Sequence, residues 1–434
     1  MKDLSLFQLI LLSLFGMAIV VGVMVFAGVI PGFRTPSGGT YGTVTVWGTF
    51  PAREMDDFVN NFNKANKNVL SLAYVARPEE TFENDLLQVL ATNQGPDLII
   101  LRSDLTYRQG DKLLAIPAES LSPRDFRNTF VDAGEIFLFP NVGTLALPLV
   151  VDPMVMYYNR NIFQSAAVPA VPATWTAFRE ALNQINIVDT RGNITRTGMA
   201  AGEFANYDNA KEFLSLLFLQ AGTPIVALGN NGYTSVLADN FGFTLSPGQA
   251  ALDFFAQFAN PRQATYSWNR SLPEAKDALA AGILGTYFGF AGEEAEVRAK
   301  NPNLNLDVAL VPQRGAGERA TLARVYGVGI SRTSSNLGAA AAAAVILSSS
   351  ESVALLSQVI GLPPARRDLL TAGTTDPFDQ IYYESALLGR TWLDPNPAQT
   401  KVIWQSMAER VTTGRALSLD SISRGSQELE ALFR

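Results

Sequence analysis

Strands and helices alternate along the chain from residue 43 onward, and this alternation constrains the fold more than any other feature. Residues 54–65 carry Phe58 and Phe62 on one helical face, which indicates an amphipathic helix between two β-rich runs. The first segments are predicted, as strand, helix, strand, helix and strand, at 43–47, 54–65, 69–75, 79–93 and 97–101. This order predicts a parallel sheet with crossover helices, and therefore an α/β fold. Ligands of such sheets bind beyond the carboxyl ends of the strands.

The rest of the chain repeats the mixed pattern with more helix. Further helices are predicted at 174–185, 210–222, 246–260, 334–350 and 394–411, and a further strand at 306–312. Residues 147–163 read as a buried strand that Asp152 and Pro153 interrupt near its middle, and we expect Pro153 to end it. At 434 residues the chain is too long for one ordinary core, so we expect two or three compact units.

The chain contains no cysteine and no histidine. These absences exclude disulfides, thiolate and imidazole metal sites, cysteine nucleophiles and Ser-His-Asp catalysis. An enzyme would have to rely on carboxylates, Lys, Tyr or hard metal ions, and we expect no enzyme, no metal and no cofactor. A net charge of −7 argues against nucleic acid as a partner.

The amino-terminal segment differs in composition from everything after it, because no charged residue occurs from Leu4 to Ile30. A bilayer span needs about 20 apolar residues, whereas a secretory signal core has about 7–15. The segment therefore predicts a retained transmembrane helix at 4–30, with a cleaved signal peptide as the alternative. Residues 31–43 are rich in Gly and Pro and predict a flexible linker. We expect a single-pass protein of the cell membrane, with its main body outside the cytoplasm.

Five segments resemble, in the same order, the motifs of one protein family. Residues 147–178 contain a Pro-bearing strand, a Tyr158-Asn159 pair and a Pro-x-Thr-Trp helix start. The other segments are GPDLIILRSDL at 95–105, LAAGILGTYFGFAGE at 279–293, YGVGISRTSSNLGAAAAAAVIL at 326–347 and GLPPARRDLL at 361–370. Together they resemble bacterial extracellular solute-binding proteins of the maltose-binding-protein type. The departures are Thr286 near the usual Met and Phe290 in place of the expected Trp.

The resemblance implies a two-lobed fold of the periplasmic-binding-protein kind, in which crossing segments form a hinge and the ligand binds in the cleft between the lobes. It implies an N-terminal lobe of residues 44–150 and 328–385, and a C-terminal lobe of residues 151–327 and 386–434. Such proteins capture a solute, most often a sugar or an oligosaccharide, and deliver it to the permease subunits of an ABC importer.

Sugar recognition needs carboxylates and amides for hydroxyl groups and flat aromatic faces for the rings. Side chains of these types occur at predicted strand ends, at the crossover and in polar loops. The candidate ligand-binding residues are Phe50, Arg102, Ser103, Asp104, Asp152, Asn206, Tyr207, Asn209, Trp268, Phe288, Phe290, Glu293 and Trp392. Asp152 is the strongest candidate, because a carboxylate at the hinge can accept hydroxyl hydrogen bonds.

Each candidate also has a structural interpretation. Asp152 could instead cap local backbone groups, and Asp104 could be the N-cap of a helix. The aromatic residues Trp268, Phe290 and Trp392 could equally belong to the core.

Three other functions remain open. A glycosidase could use Glu293 or Glu294 together with Asp152. A membrane-tethered sensor could use the same cleft. An importer protein could carry a peptide, a polyamine or an anion, although the acidic composition disfavours an anion.

Overall fold

The computed structural model describes residues 41–92, 94–230, 232–315 and 319–433. The predicted transmembrane helix at 4–30 and residues 31–40 of the predicted linker lie outside these ranges, so both stay predictions. Residues 41–43 already belong to the folded body, since the Tyr41 N–H donates to the Val69 carbonyl at 2.7 Å.

Within the described ranges, no single helix combines the length and the apolar character of a membrane span. The helices Leu337–Leu347 and Ser350–Ile360 are long and apolar enough only when they are taken together. Their axes differ in direction by 71° at the short break between them.

The described residues form fifteen strands and sixteen helices, joined in places by short 3-10 turns. The strands are β1 (Thr43–Gly48), β2 (Ser71–Ala76), β3 (Leu98–Arg102), β4 (Leu113–Leu114), β5 (Leu138–Phe139), β6 (Gly143–Thr144), β7 (Leu147–Asn159), β8 (Ile187–Val188), β9 (Ile194–Met199), β10 (Val226–Gly229), β11 (Gly232–Ser235), β12 (Leu284–Phe290), β13 (Leu306–Ala309), β14 (Thr321–Ser331) and β15 (Gly389–Arg390). The helices are α1 (Ala52–Ala65), α2 (Phe82–Ala91), α3 (Thr106–Gln109), α4 (Pro123–Thr129), α5 (Arg160–Ser165), α6 (Trp175–Ile185), α7 (Ala210–Ala221), α8 (Pro247–Ala256), α9 (Ala275–Ala280), α10 (Glu294–Lys300), α11 (Leu337–Leu347), α12 (Ser350–Ile360), α13 (Arg367–Ala372), α14 (Pro377–Leu387), α15 (Pro397–Thr412) and α16 (Ser418–Glu430).

Helix ends follow local sequence signals. The Thr174 hydroxyl accepts a hydrogen bond from the Ala177 N–H at 3.3 Å and so caps the start of α6. Helix α7 ends where Gly222 adopts a φ of 99°, a left-handed conformation that glycine reaches without a Cβ clash.

One large sheet runs through the molecule in the order β2-β1-β3-β14-β7-β12-β9-β8. Its first three strands are parallel, as the βαβαβ pattern predicts. β14 then enters antiparallel to β3, so a strand from late in the chain completes the sheet begun by the first hundred or so residues. An α/β fold is therefore confirmed.

Two long neighbouring strands, β7 and β14, carry the chain across the middle of this sheet. β7 pairs with β14 along its first half, and from Met154 onward it pairs with β12. Pro153 lies at this change of partner, where its missing N–H costs least. The expectation that Pro153 ends the strand is wrong, because β7 continues unbroken to Asn159.

Separate hydrophobic cores lie on the two sides of these crossing strands. The core that includes Phe58 and Ile100 packs under α1, α11 and α12. The other core, which includes Phe213, Phe288 and Trp404, packs under α7, α8 and α15. We call the parts of the chain around these cores the N-terminal lobe and the C-terminal lobe. Tyr382 lies in the C-terminal core, although the predicted division places it in the N-terminal lobe; the exact bounds stay a prediction.

Candidate functional site

The two lobes face each other across a small polar cavity beside the crossing strands. Arg102 ends β3, and Ser103 and Asp104 begin the 3-10 turn that follows it. Opposite them are the first turn of α7 and the segment after β15. The cavity is lined by Ser103, Asp104, Lys211, Glu212, Ser215, Leu322, Ala323, Arg324, Thr391, Trp392 and Asp394.

The cavity has a volume of about 30 Å³. That space is enough for about one or two water molecules. Sites for small-molecule ligands usually enclose roughly 300–1,000 Å³. The lobes meet closely enough here that this cavity is too small for a sugar-sized ligand, which can enter it only if they move apart.

A group of aromatic rings also joins the lobes, and we call Tyr107, Phe139, Tyr233 and Phe433 the aromatic clasp. Phe139 packs against the N-terminal lobe, in a cluster with Trp47, whereas Phe433 packs against the C-terminal core. The Tyr107 ring is centred 6.2 Å from Tyr233 and 5.0 Å from Phe433, both edge to face. Phe139 is 6.4 Å from Tyr233. These rings form an interlobe contact that is independent of the strands.

On the N-terminal side, the charged groups form a closed ion-pair network. Arg102 binds Asp104 in a bidentate arrangement, with N···O distances of 2.7 and 2.9 Å, and also contacts Glu79. Burial alone would raise the pKa of Asp104, but the neighbouring Arg102 outweighs it and holds that pKa at about 2. Asp104 is therefore ionised under ordinary conditions, and its charge is matched within its own lobe.

On the C-terminal side, a buried ion pair ties α7 to α15. Lys211 Nζ lies 2.6 Å from Asp394 Oδ2, and these side chains are only 7% and 3% exposed. The same carboxylate accepts hydrogen bonds from the Thr400 hydroxyl and the Asn396 N–H. Burial raises the pKa of Asp394, an effect that Lys211 opposes. A pair this buried keeps its geometry, because separating the two side chains would leave a buried charge without a partner, which costs free energy.

Asp152 and Arg324 lie opposite each other on the two crossing strands. The Arg324 guanidinium sits 3.7 Å above the Phe290 ring and lies 3.3 Å from Glu212. The Asp152 carboxylate instead accepts a hydrogen bond from the Gly292 N–H at 2.8 Å. It forms no ion pair with any residue that the structure describes.

Burial raises the pKa of Asp152 to about 6, an effect that Arg324 and the Gly292 N–H oppose and Glu293 reinforces. Asp104, Glu212 and Asp394 each form an ion pair, whereas the Asp152 carboxylate forms none with any described residue, so its negative charge is the least balanced by neighbouring positive groups.

Glu293 and Asn209 are brought together, but by a hydrogen-bond network inside the C-terminal lobe. Asn209 Nδ2 donates to Glu293 Oε1 at 2.7 Å, and the Tyr287 hydroxyl donates to Glu293 Oε2 at 2.5 Å. The Phe290 N–H donates to the same carboxylate at 3.3 Å. Both oxygens of Glu293 thus have partners, which fits a role in holding the strand-to-helix turn after β12.

Four predicted site residues lie in the C-terminal core, away from the cavity, and this corrects the expectation that they face the ligand. Trp268 is fully buried, and its indole N–H donates to Asn206 Oδ1 at 2.9 Å. The Tyr207 hydroxyl donates to the Phe288 carbonyl at 2.7 Å, and the Phe288 ring is stacked on Phe213. Aromatic residues with a polar tip commonly satisfy that tip inside a core in this way.

Phe50 and Trp392 are both largely buried but lie nearer to the interlobe region than the four core residues do. Phe50 is 5% exposed within the N-terminal core, with its ring 4.7 Å from that of Tyr326. Trp392 lines the cavity but is only 7% exposed, because its ring stacks on Trp404 at 5.5 Å and Lys211 Nζ lies 6.0 Å from its centroid. Of the predicted residues, the structure therefore places Ser103, Asp104 and Trp392 in the cavity lining. Arg102 is next to it through its bonds to Asp104, and Asp152 and Phe290 are next to it beside Arg324.

Residues that sequence reasoning missed complete the site, namely Arg324, Lys211, Glu212 and Asp394. Arg324 had a detectable signal, because a strand antiparallel to 147–153 would place a side chain opposite Asp152. The predicted strand began at Tyr326, two positions too late for that inference. Lys211 and Glu212 lie two and three residues after Asn209, in the first turn of the helix that begins there.

Comparison with known proteins identifies the relatives of this arrangement. The family of bacterial extracellular solute-binding proteins matches residues 57–378. No curated protein sequence matches the chain significantly.

Solved structures share the whole fold at low sequence identity. A cyclo/maltodextrin-binding protein complexed with maltotetraose is 16% identical, with a TM-score of 0.71 over 92% of this chain and 98% of that one. A cyclic alpha-maltosyl-1,6-maltose binding protein from Arthrobacter globiformis is 17% identical, with a TM-score of 0.70 over 90% and 98%. The sugar-binding protein MalE from Xanthomonas citri is 17% identical, with a TM-score of 0.70 over 90% and 97%.

Proposed function

This chain belongs to the bacterial extracellular solute-binding proteins, which are binding proteins and not enzymes, and we propose that it captures a sugar or an oligosaccharide between its two lobes and delivers it to an ABC importer. The family membership rests on a match that covers most of the described body. The choice of ligand rests on the chemistry of the interlobe site and on the fold relatives.

The observation that carries the proposal is that the Asp152 carboxylate, unlike the other charged groups around the interlobe cavity, has no ion-pair partner among the described residues. The charged side chains that line the interlobe cavity are each held in an ion pair, as in the pairs of Lys211 with Asp394 and Arg324 with Glu212. A charged ligand would have to displace one of these partners. Hydroxyl groups can instead donate to the Asp152 carboxylate. Within the described part of the chain, its two oxygens accept one hydrogen bond, from the Gly292 N–H. This pattern favours a neutral, hydroxyl-rich ligand.

The fold relatives support the same class of ligand. The neighbours with similar lobes include proteins solved with maltotetraose, maltose and mannotriose. Their sequence identity is too low to transfer a particular sugar. Their shared fold supports closure of two lobes around a ligand, a hinge motion that is biased by contacts made only when the lobes meet.

The uncharged segment at 4–30 supports a single-pass anchor, with the body of the protein on the outer side of the cell membrane. Protease added outside intact cells should then digest the body and leave a short membrane-bound fragment. Release of the whole body into the medium would instead indicate a cleaved signal peptide.

The ligand is tested by thermal shift on the full chain with maltose, maltotetraose, mannotriose, spermidine and a tripeptide. At least one saccharide should raise the unfolding temperature, because a ligand that binds only the folded state stabilises it by mass action. Asp152→Asn should abolish that shift, whereas the exposed control Asp57→Asn should retain it. Stabilisation by spermidine or the peptide alone would contradict the proposal.

A further inference from the structure

A second cavity lies on the outside of the C-terminal lobe and shares no lining residue with the interlobe cavity. Its volume is about 440 Å³, within the usual range for small-molecule sites. It is formed by α6, the end of α7, the start of α8 and the loop between β11 and α8. The lining residues are Trp175, Thr176, Arg179, Leu217, Gln220, Ala221, Phe243, Thr244, Leu245, Pro247, Ala250, Ala251, Phe254 and Arg314.

The walls of this outer cavity are mainly apolar and include large side chains that are open to solvent. Phe243 is 54% exposed and Leu245 is 48% exposed, and Phe241 beside them is 46% exposed. Such a concentration of large apolar side chains within one short loop is uncommon on a soluble surface and usually marks a binding site. The floor reaches Trp175, which is only 8% exposed, so the cavity is more than a flat patch.

The loop that presents Phe243 is held in this position by its own backbone. Phe241 has a φ of 49° and Gly242 has a φ of 83°, so two consecutive residues are left-handed. Asn240 fixes the turn, because its carbonyl accepts from the Phe243 N–H at 2.8 Å and its side chain accepts from the Gly242 N–H at 3.1 Å. A left-handed phenylalanine is unfavourable, and such strain concentrates at functional positions.

The charge at the rim of the outer cavity is positive. Arg179 and Arg314 line it, and none of the carboxylates that the structure describes does. Arg314 Nη1 donates to the Ala221 carbonyl at 3.0 Å, which uses one of its donors. Among the described residues, Arg179 makes no ion pair or side-chain hydrogen bond. Within the described ranges, the acidic residue that lines the adjoining groove is Asp253, which accepts a hydrogen bond from the Ser418 hydroxyl.

We propose that this outer cavity is a second binding site, for a small molecule with a flat or linear apolar body and one anionic group. The apolar body packs between Phe243, Leu245 and Phe254, above the edge of Trp175. The anionic group binds the guanidinium groups of Arg179 and Arg314, which offer donors in the fork geometry that suits a carboxylate or a sulfonate. This site is independent of the proposed sugar site.

Equilibrium dialysis tests this proposal with the full chain in lipid nanodiscs and empty nanodiscs as the blank. The probes are 2-naphthoate and its neutral analogue 2-naphthylmethanol. Naphthoate should bind saturably at one site per chain. The double variant Arg179→Gln/Arg314→Gln should weaken naphthoate binding by at least about tenfold, because two charged hydrogen-bonding groups are lost, and should leave naphthylmethanol binding nearly unchanged.

Two further variants locate the site. Ala250→Trp fills a partly exposed wall position and should abolish binding of both probes. Arg191→Gln removes an exposed arginine elsewhere in the same lobe and should change neither affinity. The proposal is overturned by the absence of saturable binding above the blank, by equal naphthoate affinity in the double variant and the native protein, or by unchanged binding in Ala250→Trp.

Discussion

Removing one ring of the aromatic clasp should shift the balance between closed and open lobes without any ligand. Tyr233→Ala deletes two ring contacts that cross between the lobes, with Tyr107 at 6.2 Å and with Phe139 at 6.4 Å. Edge-to-face pairs of this kind contribute about 0.5–1.5 kcal/mol each beyond simple burial. The variant should therefore destabilise the closed arrangement by about 1–3 kcal/mol, which is about a 5- to 150-fold change in the closure equilibrium.

The absence of native cysteine makes the measurement direct, because introduced cysteines are the only labelling sites. Spin labels at Lys67→Cys in the N-terminal lobe and Arg191→Cys in the C-terminal lobe report one interlobe distance by pulsed electron paramagnetic resonance. The native chain should show a population at the distance of the closed structure. Tyr233→Ala should reduce that population measurably, by the change of about 5- to 150-fold in the closed-to-open ratio, and transfer it to a different, broader distribution.

A matched control separates closure from general loosening of the C-terminal lobe. Phe378→Ala removes a ring contact with Tyr382, at 6.3 Å, that lies within that lobe. It should leave the interlobe distance distribution as in the native chain. If Tyr233→Ala gives the same distribution as Phe378→Ala, the clasp does not set the closure equilibrium and the reasoning fails.

Two other perturbations test the charged groups of the site. Burial raises the pKa of Asp152 to about 6 from 3.8. The folded state then binds this proton more tightly than the unfolded chain, so the group's contribution to stability is full below pH 4 and is lost as the pH rises to about 6. Urea unfolding should show Asp152→Asn equal to the native chain near pH 3.5 and about 3 kcal/mol more stable near pH 7.5, with no such trend for Asp57→Asn. Lys211→Met should cost about 3–5 kcal/mol by stranding the Asp394 charge, and Lys211→Met/Asp394→Asn should recover most of that loss in thermal unfolding; equal losses in both variants would contradict the buried-pair argument.

The sheet that begins the N-terminal lobe could be predicted well, because its signals are local. β1, α1, β2, α2 and β3 each lie within a few residues of their predicted positions. Helix starts and ends were equally readable at Thr174 and Gly222, since a capping hydroxyl and a left-handed glycine act within one turn. The place of β14 between β3 and β7 has no local signal, because it depends on pairing across more than two hundred residues.

The site was harder to predict than the fold, because the sequence shows which residues are polar or aromatic but not which face they occupy. β12 is buried at all seven of its positions, so alternation along the strand does not distinguish a core face from a ligand face. Phe288 and Phe290 lie on the same face of β12 and both are buried in the C-terminal core, yet the Phe290 ring also lies under the Arg324 guanidinium at the edge of the interlobe region. Asp152 could be selected because a carboxylate in an apolar strand is costly wherever it lies.

The central position of β14 also determines when the polypeptide can finish folding as the ribosome makes it. Residues 98–102 leave the ribosome long before residues 321–331, yet their strands are hydrogen-bonded neighbours in the finished sheet. Through that interval the edge of β3 that faces away from β1 lacks its final partner, and pairing over such a distance is intrinsically slow. A nascent chain built in this way cannot complete its central sheet until its final third is translated.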